Sequence, residues 1–416
     1  MTTIPDLCQT LQRLMTTSAD ELGKESGFIQ RQRQVSASGF AQTVVFGGLG
    51  QPDGTRKELH QSAMRAGMQV SMQGLDQRFT LKGVDFMRRL LEAGMREMVV
   101  SEEETSILPH FNGVYLTDCT QIRWGEAGVK VGVRLELQQG QLRPVLMDLK
   151  RNDQQASVVD EVLPAGALHL ADLGFFKLAR FKRWTDDGVY WLSRFKTGTR
   201  LFTLAGEPID LKSHLMGSEA IRLEVNVGGR QEVRAILLAA PLTAQAREKR
   251  QARLQEQARL DQHPLSQQQL DLAEWTIYLT NIPNLTFAMA FILARTRWQI
   301  ELLFKLWKSH AKIMTSRSAD PIRQQVEGYA RLLGVLIAHW MLLVSGWHYD
   351  CLGAVDALRI LRTHIPLLQR AFRLTSLFAQ VFRYLADDLQ SATPFSKRHK
   401  HPLAFQLWHE FNCLYA

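Results

Sequence analysis

The chain has 416 residues, 45% of them hydrophobic and 22% charged, and its 50 Lys and Arg outweigh 41 Asp and Glu to leave a net charge of +9. That length suits two or three domains, the apolar fraction is ample for a core, and the charge favours an anionic partner. Its four cysteines form no Cys-x-x-Cys pair, which argues against zinc fingers and disulfides and for a reducing cytosol.

Residues 1–105 read as helical. Apolar residues recur at helical spacing over 7–15, 59–66, 75–78 and 84–96, and Arg31, Arg33, Arg56, Lys57, Arg78, Arg88 and Arg89 recur among them. Taken alone, this is a helical docking region with a solvated basic surface. Strand character begins at Val114, where Val114 and Leu116 alternate with Tyr115 and Thr117 and the run ends on Asp118. The sharpest period-two pattern follows: Val129, Val131, Val133, Leu135 and Leu137 alternate with Lys130, Gly132, Arg134 and Glu136. Residues 142–149 predict a third strand and residues 155–162 a short helix. The apolar run from Ala167 to Ala171 predicts a fourth strand, which ends on Asp172. Singly, either Asp suits a turn or a helix cap. Together they place two carboxylates where adjacent strand ends meet.

Strand character returns at residues 189–195, 201–204, 221–227 and 233–239, separated by Gly and turn residues. Residues 244–260 predict a highly charged helix that carries Arg247, Lys249, Arg250, Arg253 and Arg259 beside Glu248 and Glu256. It reads as a solvated helix, with a nucleic-acid-contacting arm as the sharper alternative. Arg297 to Lys308 then predict one helix with a loaded face. Arg297, Glu301 and Lys308 project the same way, beside an apolar stripe of Ile300, Leu303, Phe304 and Trp307. An Arg–Glu pair at this spacing is ordinarily a solvated surface pair. The C-terminal part predicts helices at residues 320–347, 354–363 and 365–385, and a short basic patch from Ser396 to His401. Residues 332–345 are apolar but short and contain His339 and Trp340, which predicts a buried core helix and not a membrane span. The sequence holds no signal peptide, Walker A loop or fixed-period repeat.

Three segments taken together resemble a family. They are Thr117-Asp118-Cys119-Thr120, Ala171-Asp172-Leu173-Gly174-Phe175, and Tyr278-Leu279-Thr280-Asn281-Ile282-Pro283 followed by the helix from Arg297. The chain resembles bacterial insertion-sequence DDE transposases, in the branch marked by a Tyr-Arg-Glu-Lys signature, and the resemblance covers roughly residues 25 to 350. Arg297, Glu301 and Lys308 fall on the signature spacing, while the tyrosine position is Ala294. In the family that tyrosine supports a DNA phosphate near the active site.

The resemblance implies an α/β fold with an RNase-H-like mixed-sheet catalytic core at residues 106–195 and 275–350. An inserted β subdomain with its charged helix occupies 196–274. A helical N-terminal region at 1–105 binds transposon-end DNA, and a helical C-terminal region at 351–416 serves dimerisation or DNA contact. Asp118, Asp172 and Glu301 are the implied catalytic and metal-binding triad. Arg297 and Lys308 are the implied phosphate contacts, with Trp298 and Lys305 as further candidates for touching DNA.

The chemistry explains the three acids. Phosphodiester cleavage is an in-line displacement, and two divalent ions activate the attacking oxygen and stabilise the leaving one. Mg²⁺, with Mn²⁺ as substitute, takes oxygen ligands and keeps several waters, so carboxylates suffice. Arg suits phosphate as a planar fork and Lys as a point charge. The expected function is therefore cut-and-paste transposition by a homodimer on double-stranded DNA, in a bacterial cytoplasm near the nucleoid, with no membrane and no nucleotide cofactor. Two other readings fit the same residues: a catalytically inactive, domesticated relative that binds DNA or inhibits, and a related nuclease that cleaves without joining.

Overall fold

The computed structural model describes residues 2–31, 35–100, 107–147, 149, 162–230, 233–347, 353–392 and 403–415. The predicted helix at 155–162, save its last residue, and the basic patch at 396–401 lie outside them. The chain is mixed α/β and forms two compact units that alternate along the sequence. The first holds residues Met1–Thr105, Asp118–Asp160 and Ile300–His401; the second holds Ser106–Thr117, Glu161–Gln299 and Pro402–Ala416.

Among the described residues the first unit opens with the α-helices α1 (Ile4–Arg13), α2 (Ala19–Glu25), α3 (Ala37–Gly50), α4 (Arg56–Arg65), α5 (Met72–Asp76) and α6 (Leu81–Arg96). Side-chain caps fix the starts of all of these but α2, which continues from α1 through a π-helical segment at Leu14–Ser18. Thr3 and Thr55 each form a capping box, with Asp6 and Glu58 answering three residues on. The sequence does not announce α3, because most of its residues are buried, none is exposed, and no polar face gives it a period. It packs on α13 (Pro321–Val344), the central helix of the unit, and α6 packs there too. Asp320 caps α13 by accepting from the Ile322 N–H at 3.0 Å, and Pro321 sits in its first turn, where no N–H is needed. By length and composition α13 qualifies to cross a membrane, yet 94% of its apolar window is buried inside the protein, as the core-helix expectation has it. α14 (Ala354–Ala371) and α15 (Leu377–Ser391) follow. The predicted break before Pro366 does not occur. α14 runs through that proline because Leu361, Ile365 and Leu368 are held in the core on either side of it.

The strands of this unit are β2 (Ala127–Glu136), β3 (Leu142–Met147) and the later part of β1 (Val114–Trp124), in the order β3-β2-β1. β2 and β3 are antiparallel, with Val133 opposite Pro144. Although β2 alternates in sequence, both its faces are covered and Lys130, Arg134 and Glu136 are buried with the valines. The β2–β3 turn docks on α13. Gly140 takes a left-handed φ of 67°, where a Cβ would stand 2.4 Å from Leu343. Its carbonyl accepts from the His339 ring N–H at 2.6 Å. Burial pushes the His339 imidazole down to about 4.

At the far end of β1, Trp124 lies against Gly328 of α13, packs edge-on to Tyr329 at 4.9 Å, and donates its indole N–H to the Ile313 carbonyl at 2.8 Å. A Cβ at Gly328 would meet the Trp124 ring at 2.0 Å. Gly328→Ala is therefore expected to destabilise the protein by about 2 kcal/mol through overpacking. Urea unfolding measures this, and adding Trp124→Leu should return part of the loss; equal stability of wild type and Gly328→Ala would contradict the packing.

The second unit contains the start of β1, then β4 (Leu168–Ala171), α7 (Leu178–Asp186), β5 (Tyr190–Arg194), β6 (Leu201–Phe202), α8 (Leu211–Leu215), β7 (Ile221–Val227) and β8 (Val233–Pro241). α9 (Ala244–Asp261), α10 (Gln267–Leu272), β9 (Trp275–Thr280), α11 (Phe287–Thr296) and α16 (Ala404–Tyr415) complete it. Its strands run β1-β4-β5-β9-β8-β7-β6. β4 is parallel to β1 and β5 to β4, and the remaining pairs are antiparallel. The β3-β2-β1 order of one unit and the parallel β1-β4-β5 order of the other are consistent with an RNase-H-like core. β9 escapes the sequence pattern because five of its six residues are buried, which leaves no alternation to read. It stands between β5 and β8, so the strands predicted as an insertion continue the same sheet through β8.

Candidate active site

β1 and β4 are paired so that Val114 faces Leu168 and Thr117 faces Ala171. Each of these last partners is followed in the chain by an aspartate, Asp118 and Asp172. Thr117 is buried and shares a 3.0 Å hydrogen bond with His169 of β4, whose ring lies 4.2 Å from that of Trp184. Phe181 stacks on Trp191 at 4.2 Å and 11°. These aromatic rings, from β4, α7 and β5, form a rigid floor beneath the end of β4.

Asp172 is exposed and opens a single 3₁₀ turn, Leu173–Phe175. It stands at the N-cap of that turn, but its side chain makes no capping bond. The cap reading is therefore set aside by the geometry, and the carboxylate faces solvent from a fixed backbone. Asp118 does not end its strand as expected. β1 runs on to Trp124, because the strand changes partners there: its pairing with β4 stops at Thr117 while the strand continues in the β3-β2-β1 order of the first unit. Asp118 is half-buried, and its Oδ1 accepts from the Cys119 N–H at 2.7 Å.

The segment from Arg297 to Lys308 is not one uniform helix. Arg297 caps the C-terminus of α11, and α12 (Trp298–Lys305) starts after it. Glu301 sits in the first turn of α12, half-buried, while Trp298 is 60% exposed and Lys305 is exposed. Residues Leu306–His310 then form a π-turn, closed by the Ala311 N–H donating to the Leu306 carbonyl at 3.0 Å. The wider turn rotates Lys308 away from the direction that two α-helical turns would give it. The predicted common face of Arg297, Glu301 and Lys308 is corrected accordingly. The apolar stripe holds: Ile300, Leu303, Phe304 and Trp307 are all buried, and the π-turn keeps Trp307 against Phe304 at 5.6 Å. Arg362 of α14 braces the end of the turn by donating to the His310 carbonyl at 2.6 Å and to the Leu49 carbonyl at 3.1 Å. Ala294, at the signature tyrosine position, is half-buried in α11.

Among the described residues, no three His, Cys, Asp or Glu side chains gather closely enough to hold a metal ion. The donor chemistry of Asp118 and Asp172 nevertheless suits a hard divalent cation, since each brings carboxylate oxygens and no softer group.

Three residues to which the sequence assigned no role of their own, Asn281, Thr280 and Trp408, help hold this frame. Asn281 follows β9 and behaves as a piece of backbone: its Oδ1 accepts from the Trp191 N–H at 2.8 Å and its Nδ2 donates to the Val189 carbonyl at 2.8 Å. The Thr280 hydroxyl donates to the Trp191 carbonyl at 2.7 Å. The β5–β9 ladder is thus continued by side chains beyond its last backbone pair. An Asn immediately after a buried strand was the available signal. Trp408 of α16 donates to the Thr296 hydroxyl at 2.9 Å and so braces the end of α11 just before Arg297.

Comparison with known proteins adds an independent line. A family model described as "Transposase DDE domain" matches residues 118–337. The match begins at Asp118 and spans Asp172, Arg297, Glu301 and Lys308. The chain is 26% identical over 371 residues to the transposase for insertion sequence element IS1151 of Clostridium perfringens, covering 78% of each. It is 22% identical over 444 residues to the transposase for insertion sequence element IS231F of Bacillus thuringiensis subsp. israelensis, covering 94% of this chain and 93% of the relative. It is 24% identical over 455 residues to the transposase for IS231B of Bacillus thuringiensis subsp. berliner, covering 97% and 94%.

Proposed function

As a member of the transposase DDE-domain family, the chain is a transposase, and we propose that it moves its element by cut and paste through Asp118, Asp172 and Glu301. The observation that carries this reading is the register of β1 with β4. It ends on Thr117 opposite Ala171, and an aspartate follows each. In this reading the aspartate that follows each of these two paired residues offers its carboxylate oxygens to a shared cation.

In this reading Asp118 and Asp172 supply the oxygen ligands and Glu301 the third acid. Divalent ions, Mg²⁺ or Mn²⁺ and two per site, supply activation of the attacking oxygen and stabilisation of the leaving one. Arg297 and Lys308 hold the phosphates on either side of the reacting group, with Trp298 and Lys305 touching the DNA nearby. Water attacks phosphorus, the P–O3′ bond breaks, and the freed 3′ hydroxyl then attacks a phosphodiester of the target. Residues 106–195 and 275–350 form the RNase-H-like core, residues 196–274 the insertion, residues 1–105 the end-binding region, and residues 351–416 the support for a dimer. A homodimer on paired double-stranded ends follows from the chemistry, because both ends must be joined to one target. No nucleotide cofactor enters this chemistry, and the work is done in the bacterial cytoplasm on the nucleoid.

The test is a plasmid carrying the element with its flanks, incubated with the purified protein. Double-end excision and joining to a second plasmid are expected in Mg²⁺ and in Mn²⁺, and neither in EDTA. Mass photometry of the joined complex should show two protein copies per pair of ends. Excision without joining would favour the nuclease reading, and DNA binding without any cleavage the inactive one.

A further inference from the structure

Within the second unit, a groove of about 700 Å³ lies between α9 and the strand ends where β5 leaves and β9 enters the sheet. Four cations line it, Arg194 on β5 and Lys249, Arg250 and Arg253 on α9, and no lining residue is acidic. Among the described residues none of the four is in an ion pair with a carboxylate, whereas Arg247 and Arg259 on the same helix have Glu274 and Glu256.

α9 itself is unusual. None of its residues is buried, so it has no apolar face with which to dock. It is held from one end: Arg250 donates to the Trp275 carbonyl, Arg247 meets Glu274 at 3.5 Å, and the Leu242 N–H donates to the Glu274 carbonyl at 2.8 Å. The face it turns to the groove runs Ala246, Lys249, Arg250, Arg253, Leu254 and Gln257, a helical stripe in which three cations and an amide outnumber the one leucine. Arg194 and Arg250 repel each other across this space, and burial together with that repulsion lowers the Arg250 pKa from its ordinary value. Like charges held together without a counter-charge become stabilising once an anion lies between them.

The groove also has a direction. Leu173, the residue after Asp172, lines its wall. The aromatic residues of the lining, Phe195 and Trp275, are half-buried and offer no open platform for stacked bases. The lining therefore suits a chain of phosphates and not base edges.

We infer that this groove grips the sugar–phosphate backbone of duplex DNA beside the phosphate presented to Asp172, with Arg194, Lys249 and Arg253 as its contacts. The inference rests on the transposase reading for its ligand, but its test does not depend on cleavage. The probe is a short fluorescein-labelled duplex of arbitrary sequence, bound to the full chain across a salt series and read by anisotropy. The variant Arg194→Gln/Lys249→Gln/Arg253→Gln should weaken binding and reduce the slope of log K against log salt by about three, close to one per lost phosphate contact. Arg250 is left in place because it holds α9 to the sheet.

Two further variants keep the test decisive. Arg222→Gln/Arg230→Gln/Arg234→Gln removes the same charge from exposed positions outside the groove and should leave the slope almost unchanged. Arg194→Lys/Lys249→Arg/Arg253→Lys keeps the charge and should keep the slope. An unchanged slope in the groove variant, an equal fall in the outside variant, or a loss in the charge-keeping variant would each overturn the groove. The transposase reading would survive all three, provided the wild type still excises. Wild type that binds the duplex without salt dependence would take down both.

Discussion

Asp118→Ala, Asp172→Ala and Glu301→Ala are each expected to lower end cleavage by at least about a thousandfold while DNA binding stays within a few-fold of wild type. The lost interaction is made with charge that develops during the displacement, so the rate falls and ground-state affinity does not. Asp172 offers the cleanest case, since it is exposed and caps nothing, and its replacement costs little folding stability. Cysteine at the same positions should be inert in Mg²⁺ and regain part of the rate in Mn²⁺, the softer ion. Single-turnover cleavage of a labelled end reads all of this. An Asp172→Ala protein that cuts at the wild-type rate in Mg²⁺ removes Asp172 from the site, and retained activity in Glu301→Ala would move the third acid elsewhere.

The second large effect is on stability and is set by pH. His339 is buried in α13, and its pKa is pushed down to about 4 by burial, against an ordinary value of 6.5. The unfolded chain therefore takes up a proton on this side chain before the folded one does. Its contribution is fully present above pH 6.5 and is lost as the pH falls towards 4, by about 3 kcal/mol over the whole window. Urea unfolding between pH 7 and pH 4 measures it. His339→Gln, which keeps a donor for the Gly140 carbonyl, should flatten the acid loss by about that amount. The same acid sensitivity in the variant would assign the loss to other groups.

How far the sequence disclosed this protein depended on the physical contrast that each element carries. β4 and the start of β1 were legible because each is a short run of strand-forming residues followed by a carboxylate, but the continuation of β1 past Asp118 to Trp124 was not. The charged helix α9 was legible from its composition, and β7 from its flanking glycines and turns. α3 and β9 were not, since burial on every side erases the polar half of a period. The stripe of α12 was readable, but the π-turn at Leu306–His310 was not. Nothing in Leu306-Trp307-Lys308 requires a wider turn, and it is the tertiary hold of Arg362 on the His310 carbonyl that accompanies it. The basic groove was only half legible. Lys249, Arg250 and Arg253 lie on one helix in the sequence, but Arg194 joins them through the pairing of β5 with β9, a contact between residues far apart in the chain.

The alternation of the two units along the chain bears on how the protein is made. Residues Pro402–Ala416 belong to the unit that contains Asp172, and α16 rests on α11 through the Trp408–Thr296 bond. A ribosome that has delivered the strands, the aromatic floor and the α9 groove has therefore still not delivered the helix that braces the approach to Arg297. A nascent chain that stops short of Pro402 therefore carries this unit unfinished. Nor does any single cut of the gene separate one unit from the other, because each is written in three pieces. Fragments that carry the acids but lack α16 should be poor nucleases, because the unit that holds Asp172 is then incomplete.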